Sequence, residues 1–194
     1  MERIMKTLVI VLILVLVTGS ALAEDITNTK LLLHGTKPII EDSSWQVSAW
    51  GIVPNFTSNP NVSVFVAGPR YEMKDRWWIE AMAGALTVNQ KSEPLIDIRA
   101  SYDVLDPIHL WTNVEYFPKE GNWYAYLDLN YRLPVVGLIG IETENNLPNH
   151  SKADLSIGPR IVLPFSDGKF VLISAYQFHN FGENQLWIRT VFNF

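Results

Sequence analysis

The sequence contains no cysteine, which excludes disulfides, thiolate metal sites and cysteine redox chemistry. Basic residues are in deficit, with 15 Lys and Arg against 20 Asp and Glu and a formal net charge of −5. That balance argues against a nucleic acid partner. The chain also lacks metal-ligand spacings and phosphate-binding loops, so we predict neither a metal nor a cofactor. Beyond the N-terminal region, no apolar run is long enough for a membrane-spanning helix.

The N-terminus has the three parts of a secretory signal peptide. Arg3 and Lys6 precede an apolar run from Leu8 to Val17, and Ala21-Leu22-Ala23 forms a small-residue cleavage site. We therefore predict export, with residues 1–23 as the signal peptide and cleavage after Ala23. The alternative is a membrane anchor, but the run is about half the roughly 20 residues that a spanning helix needs.

Residues 24–43 are polar and irregular, and we interpret them as a periplasmic lead-in to a strand-rich region over residues 44–194. In that region, runs with period-two alternation are separated by Gly, Pro, Asn and Asp turn residues. The predicted strands are 44–53, 61–68, 76–88, 95–104, 108–117, 123–133, 135–144, 154–163, 169–179 and 185–194. No segment has helical periodicity.

Each predicted strand has one face without any Asp, Glu, Lys, Arg or His. In 95–104, for example, Ile96 and Ile98 share a face while Asp97 and Arg99 share the other. Contact with water would not exclude charge so strictly, whereas a charge facing lipid costs roughly 2–4 kcal/mol at the bilayer midplane. The opposite faces carry a candidate charge network: Glu80, Asp97, Arg99, Asp103, His109, Glu115, Asp128, Arg132, Arg160 and Arg189. The same faces also carry Arg76, Glu142, Glu144 and Asp154.

These patterns predict an all-β fold, a closed antiparallel up-and-down transmembrane β-barrel of about ten strands, with eight as the alternative. The charged faces then point into the lumen. A soluble secreted β-sandwich or lipocalin-like barrel is the competing fold, and it would place its apolar faces inside.

The last strand ends on an aromatic residue, with Leu186, Ile188, Thr190, Phe192 and Phe194 sharing one face. This ending resembles the C-terminal signal of bacterial outer-membrane β-barrels. The resemblance implies location in the bacterial outer membrane, contact with outer-membrane lipid, and recognition of Phe192 and Phe194 by the barrel assembly machinery. An even strand number would place both termini on the periplasmic side.

Outward aromatic residues cluster at the ends of the predicted strands, as expected for two interfacial girdles. The predicted periplasmic girdle is Trp45, Trp77, Tyr102, Tyr131, Phe170 and Phe194. The predicted extracellular girdle is Tyr116, Trp123, Tyr176 and Phe178.

The lumen of such a small barrel is nearly filled by side chains, and buried charges must be paired. We therefore expect a mostly self-plugged lumen and a structural or surface-binding role. A tight turn at Asp106-Pro107 would set Asp103 beside His109, and Arg99 would have Glu80, Asp97 and Glu115 within reach. A narrow, cation-preferring pore is one alternative, because the predicted inward acids outnumber the inward bases.

A lipid-modifying hydrolase is the other alternative, with His179 as the candidate catalytic residue. Its place one strand before the C-terminus resembles the lipid A 3-O-deacylase family, in which a His and a Ser lie close together near this point. Here the second residue after His179 is Phe181, and the nearest serine on that strand is Ser174. A second arrangement would pair His179 with Asp97 across the barrel mouth, as in omptin proteases.

Overall fold

The computed structural model describes residues 26–56, 61–73, 76–134 and 137–194. The predicted signal peptide, residues 1–23, lies outside them. The described chain is all-β, with strands that close into a single barrel. The strands are β1 Ile26–Pro38, β2 Trp45–Val53, β3 Val62–Met73, β4 Trp77–Val88, β5 Lys91–Leu105, β6 Ile108–Phe117, β7 Asn122–Leu133, β8 Gly137–Leu147, β9 Asp154–Phe165, β10 Phe170–His179 and β11 Gln185–Asn193.

The prediction of ten strands is wrong, because the barrel has 11. The additional strand is β1, which lies within the segment interpreted as a lead-in. It pairs antiparallel with β2 on one side and parallel with β11 on the other, where Leu32 faces Val191. Every other neighbouring pair is antiparallel, so the sheet is mostly rather than wholly antiparallel.

An odd strand number also changes where the chain ends lie. Because β1 and β11 run in the same direction, β1 begins at the barrel end opposite to Phe194. The expectation that both termini share one end is therefore wrong for the described chain. Below, the end where β11 finishes is called the Phe194 end, and the end where β1 begins is called the Ile26 end.

Side chains alternate between the two faces of the wall as the period-two patterns predict. On β5, Asp97 and Arg99 are 0% and 1% exposed, whereas Ile96 and Ile98 are 49% and 47% exposed. On β7, Asp128 and Asn130 are buried while the leucines beside them are exposed. The barrel thus buries charged side chains inside and exposes apolar ones outside.

The hairpin turn between β4 and β5 needs a backbone conformation with positive φ. Asn89 and Gln90 connect Val88 directly to Lys91, with φ values of 48° and 67°. Two left-handed residues in a two-residue loop match the right-handed twist of the flanking strands. As a result, β5 begins at Lys91, earlier than the predicted strand that started at residue 95.

Glycines on the inner face allow neighbouring strands to approach closely. A Cβ atom added to Gly158 would lie 1.6 Å from the carbonyl oxygen of Tyr176 on β10. At Gly84 the corresponding distance, to the carbonyl oxygen of Phe65 on β3, would be 1.8 Å. Any side chain at these positions would force the adjacent strands apart.

Part of the inner wall is apolar. Its buried members lie mainly on β2, β3, β4 and β5, and they pack against partly buried residues of β1, β4, β6 and β10. The buried residues are Trp50, Ile52, Val64, Val66, Met82, Leu95 and Val191. The interior is therefore partly charged and partly apolar.

Aromatic side chains pair around both ends of the outer surface. At the Phe194 end, Tyr71 contacts Trp45 and Trp77 with ring centroids 5.0 and 5.5 Å apart. At the Ile26 end, the Tyr116 and Trp123 centroids are 4.5 Å apart. Within the described ranges, no helix is long and apolar enough to cross a membrane.

Candidate functional site

The largest polar cluster of the lumen is built around two glutamates on β8. Arg189 on β11 donates from Nη1 and Nη2 to the two carboxylate oxygens of Glu142, at 2.8 and 2.7 Å. The same Nη2 donates to Glu144 at 2.6 Å. Lys30 on β1 also reaches Glu144, at 2.8 Å. Because β1 and β8 are not adjacent, these contacts span the lumen.

Uncharged side chains also donate hydrogen bonds to the carboxylates of Glu142 and Glu144. Gln177 donates from Nε2 to Glu142 at 2.6 Å and to Glu144 at 3.2 Å. The hydroxyls of Tyr126 and Tyr124 donate to Glu142 and Glu144, each at 2.8 Å. Both glutamates are thus held by several donors, as buried carboxylates require.

A second cluster surrounds Glu80 on β4, which is 0% exposed. Its carboxylate accepts hydrogen bonds from Ser48 Oγ at 2.8 Å, Trp50 Nε1 at 2.9 Å and Arg70 Nη1 at 3.0 Å. Arg70 also donates to Glu72 at 2.9 Å, and His34 Nε2 lies 3.6 Å from Glu80. This cluster ties β1, β2, β3 and β4 together through their inner faces.

The third cluster joins β5 and β6. Arg99 donates from Nε and Nη2 to Asp97 Oδ2, at 3.1 and 2.7 Å, and Asn113 Nδ2 donates to Asp97 Oδ1 at 2.6 Å. Glu115 is farther away, with its Oε1 3.9 Å from Arg99 Nη2. Asp97 therefore takes the close contacts of this arginine, and Glu115 does not.

Cations of the lumen also lie over aromatic rings. The Arg99 guanidinium is 4.3 Å from the Trp50 ring centroid, and the Arg70 guanidinium is 4.2 Å from that of Trp78. Such contacts favour a partly desolvated cation. The Trp50 contact connects the cluster around Asp97 to the cluster around Glu80.

Carboxylates outnumber lysines and arginines on the described inner wall between the two rims. The carboxylates are Glu72, Glu80, Asp97, Glu115, Asp128, Glu142 and Glu144, and the cations are Lys30, Arg70, Arg99, Arg160 and Arg189. The lumen therefore has an excess of negative charge when all these groups are ionised.

A cavity of about 660 Å³ remains inside the barrel. Charged residues of the clusters line it, among them Lys30, Arg99, Glu115 and Arg189, and so do residues of the apolar wall. Its volume is within the range of small-molecule sites in proteins. The side chains therefore do not fill the lumen completely.

Several charged residues lie at the rims instead. At the Phe194 end, His109 Nδ1 is 2.8 Å from Asp103 Oδ1, and the half-exposed Arg132 donates to Asp103 at 3.4 Å. At the Ile26 end, Lys119 in the loop after β6 donates to Glu93 at 2.7 Å. That hydrogen bond and the charge of Glu93 raise the pKa of Lys119 above its ordinary value.

His179 ends β10 at the Ile26 end and is oriented by Asp154, with His179 Nδ1 3.0 Å from Asp154 Oδ1. Its Nε2 is buried and has no hydrogen-bond partner in the described chain. Asp97 belongs to the Arg99 cluster, so the arrangement that would pair His179 with Asp97 is wrong. Ser156 faces His179 in the β9–β10 register, but its Oγ donates to the Glu144 carbonyl oxygen at 2.7 Å.

The structure brings together part of the candidate network and leaves part outside it. Arg160 belongs to the cluster around Glu142, because it donates to the Tyr126 hydroxyl at 2.7 Å and also to Asp128. Seven members of the candidate network thus lie in the buried clusters: Glu80, Asp97, Arg99, Glu115, Asp128, Arg160 and Arg189. Asp103, His109 and Arg132 form the separate rim contact. Glu80 is paired with Arg70 rather than with Arg99, although Glu80 and Arg99 face each other in the β4–β5 register.

Sequence reasoning missed four charged or titratable residues of the lumen: Lys30, His34, Arg70 and Glu72. The first two lie on β1, inside the segment interpreted as a lead-in. The other two follow Gly68-Pro69, which was interpreted as a turn although β3 continues to Met73. Alternation of polar residues with Tyr71 and Met73 was the signal that could have extended that strand.

The described residues contain no group of three or more His, Cys, Asp or Glu side chains that could hold a metal ion. Comparison of the chain with protein-family models, with curated proteins and with solved structures finds no match.

Proposed function

We propose that this protein is an integral β-barrel of the bacterial outer membrane, with a lumen largely closed by ion pairs and a structural or surface-binding role. One observation carries the proposal, namely the inverted polarity of the wall. Buried ion pairs face inward, and exposed apolar side chains face outward along the strands. A soluble barrel has the opposite arrangement.

The outer surface supports contact with lipid rather than water. Large apolar side chains in the middle of the strands are 42–50% exposed at Ile98, Leu129 and Ile141. Soluble monomers rarely expose contiguous apolar patches larger than a few hundred Å². Transfer of these side chains from water to the acyl chains of a bilayer would remove the free-energy cost of exposing apolar surface to water.

The aromatic pairs at the two barrel ends support the same placement, because outer-membrane barrels carry aromatic girdles at both interfaces. Phe194 is 81% exposed at one of those ends, where the barrel assembly machinery would be able to bind it. In this proposal the Phe194 end faces the periplasm, and the protein reaches the membrane by the predicted signal peptide.

The cross-lumen contacts support a closed lumen. Lys30 and Arg189, on adjacent strands, both reach glutamates on β8 from the far side of the wall. A narrow, cation-preferring pathway is the second candidate, and the remaining cavity and the excess of carboxylates favour it. Discrete conductance steps in planar bilayers would distinguish this pathway from a closed lumen.

The lipid-modifying hydrolase has weaker support. The Asp154–His179 contact would orient the imidazole, as a catalytic dyad requires. However, Ser156, which faces His179 across the strands, directs its hydroxyl to the Glu144 carbonyl oxygen and the Gln177 amide oxygen. Neither contact involves a ring nitrogen of His179. Among the described residues, no hydroxyl therefore makes a hydrogen bond to His179 Nε2.

The proposal is tested by expressing the full chain in a Gram-negative host and fractionating the membranes. We expect it in the outer-membrane fraction, resistant to protease, and migrating differently on a gel before and after heating. Planar bilayers containing the purified protein should show no steady conductance. A protein that is monomeric and stable in buffer without detergent would contradict the membrane proposal.

A further inference from the structure

The cavity inside the barrel is amphipathic. Apolar side chains that line it include Leu32, Ile52, Val64, Leu86, Phe117 and Val191. The remaining wall carries the ion pairs described above. A cavity with one apolar wall and one charged wall fits a ligand with an apolar body and a polar head.

The charged wall discriminates between heads of opposite sign. Each described lysine and arginine that lines the cavity donates to a carboxylate of the barrel. An anionic head would therefore have to compete with an existing ion pair. The excess of inner carboxylates makes the surrounding potential unfavourable for an anion as well.

Among the carboxylates that line the cavity, Glu115 has the most distant nearest cation. It is only 9% exposed, lines the cavity, and has Arg99 at 3.9 Å as its nearest described cation. That guanidinium donates instead to Asp97. A buried carboxylate whose nearest cation donates its hydrogen bonds to another acid is a position where a ligand cation gains free energy.

The surroundings of Glu115 suit an organic cation. Phe117 lies two residues further along the same face of β6, about 7 Å away, and belongs to the apolar wall. Tyr124 faces Glu115 in the β6–β7 register. Aromatic rings beside a carboxylate favour ammonium groups through their negative faces.

We propose that the barrel cavity binds a small cationic amphiphile, with its ammonium or amidinium head beside Glu115 and its apolar body along the wall that contains Phe117. This inference goes beyond the proposed membrane role. It depends on the residues of the inner wall and is independent of the environment of the outer wall.

The test uses three probes with the same eight-carbon body, octylammonium, octanol and octanoate. Each is titrated calorimetrically into the full barrel in lipid nanodiscs, with empty nanodiscs as the reference for partitioning. We expect saturable binding of octylammonium, weaker binding of octanol and none of octanoate. Equal binding of the three probes, stronger binding of octanoate, or no saturable binding would overturn the proposal.

Variants locate the site. Glu115→Gln should weaken octylammonium binding at least tenfold, whereas Glu120→Gln, in the exposed loop after β6, should leave it unchanged. Leu86→Trp, which fills the apolar part of the cavity, should also weaken binding while Glu115 remains. Unchanged affinity in Glu115→Gln, or in Leu86→Trp, with a heat-modifiable barrel would refute the assignment.

Discussion

Replacement of Arg189 by methionine removes a buried cation that bridges two buried carboxylates while keeping much of its side-chain volume. Arg189 makes three hydrogen bonds of 2.6–2.8 Å to Glu142 and Glu144. Its side chain is 4% exposed, and those of the two glutamates are 0% and 9% exposed. Loss of one partner from such a buried pair costs about 3–5 kcal/mol.

Arg132 provides the matched control, because its side chain is 53% exposed and it contacts Asp103 at 3.4 Å. An exposed ion pair contributes about 0–1 kcal/mol. Urea unfolding in lipid vesicles, followed by tryptophan fluorescence, measures both variants. With an m value of roughly 2 kcal/mol/M, Arg189→Met should lower the midpoint by about 2 M and Arg132→Met by less than about 0.5 M.

A double variant separates the ion pair from general damage to the wall. Glu142→Gln in the Arg189→Met background removes a carboxylate that the first change deprives of its closest cation. We expect it to recover part of the lost stability, because an unpaired buried charge costs more than a missing pair. Equal midpoints for Arg189→Met and Arg132→Met would refute the reasoning and indicate a lumen in which water solvates the charges.

Three further predictions concern the wall and its assembly. Gly158→Ala should destabilise the barrel by about 1–3 kcal/mol through the close strand approach, whereas Gly35→Ala, with open space around it, should not; urea midpoints compare them. Leu33→Cys combined with Phe192→Cys should cross-link on oxidation, since β1 and β11 pair at these residues; absence of the cross-link would contradict the eleventh strand. Phe194→Asp should leave export intact and reduce the folded protein in outer-membrane fractions, and normal levels would exclude Phe194 as an assembly signal.

The barrel class was predictable because the strands that face two different environments alternate clearly. On β7, Leu127 and Leu129 share one face and Asp128 and Asn130 the other, and the structure exposes the first pair and buries the second. The direction of each face followed from the exclusion of charge, which only an apolar environment enforces. These arguments are local to each strand and need no knowledge of its partners.

The eleventh strand was not predictable in the same way. In β1, the run Leu31-Leu32-Leu33 interrupts the alternation, and the parallel contact with β11 joins residues more than 150 positions apart, such as Leu32 and Val191. A polar lead-in and a strand whose partner is so remote in the sequence have similar local patterns. The odd number of strands could therefore not be predicted, because β1 has little of the alternation that marks the other strands.

Most ion-pair partners in the lumen could not be predicted from the pattern of each strand alone. Pairing within hairpins placed His109 beside Asp103, which are register partners. Contacts such as Lys30 with Glu144 depend on the stagger of the whole barrel, which decides the residues that meet across the lumen. For charges on the predicted strands the inner face followed from the sequence, whereas partners on distant strands required the closed barrel.

Contact of the outer wall with lipid is the central claim, and spin-label accessibility tests it most directly. Single cysteines at Ile98, Leu129 and Ile141 can be labelled specifically because the chain has no other cysteine. In bilayers, we expect high accessibility to oxygen and low accessibility to a water-soluble nickel chelate at all three, with the reverse at Lys152 in the loop between β8 and β9. High accessibility to the nickel chelate at the three wall positions would contradict the account.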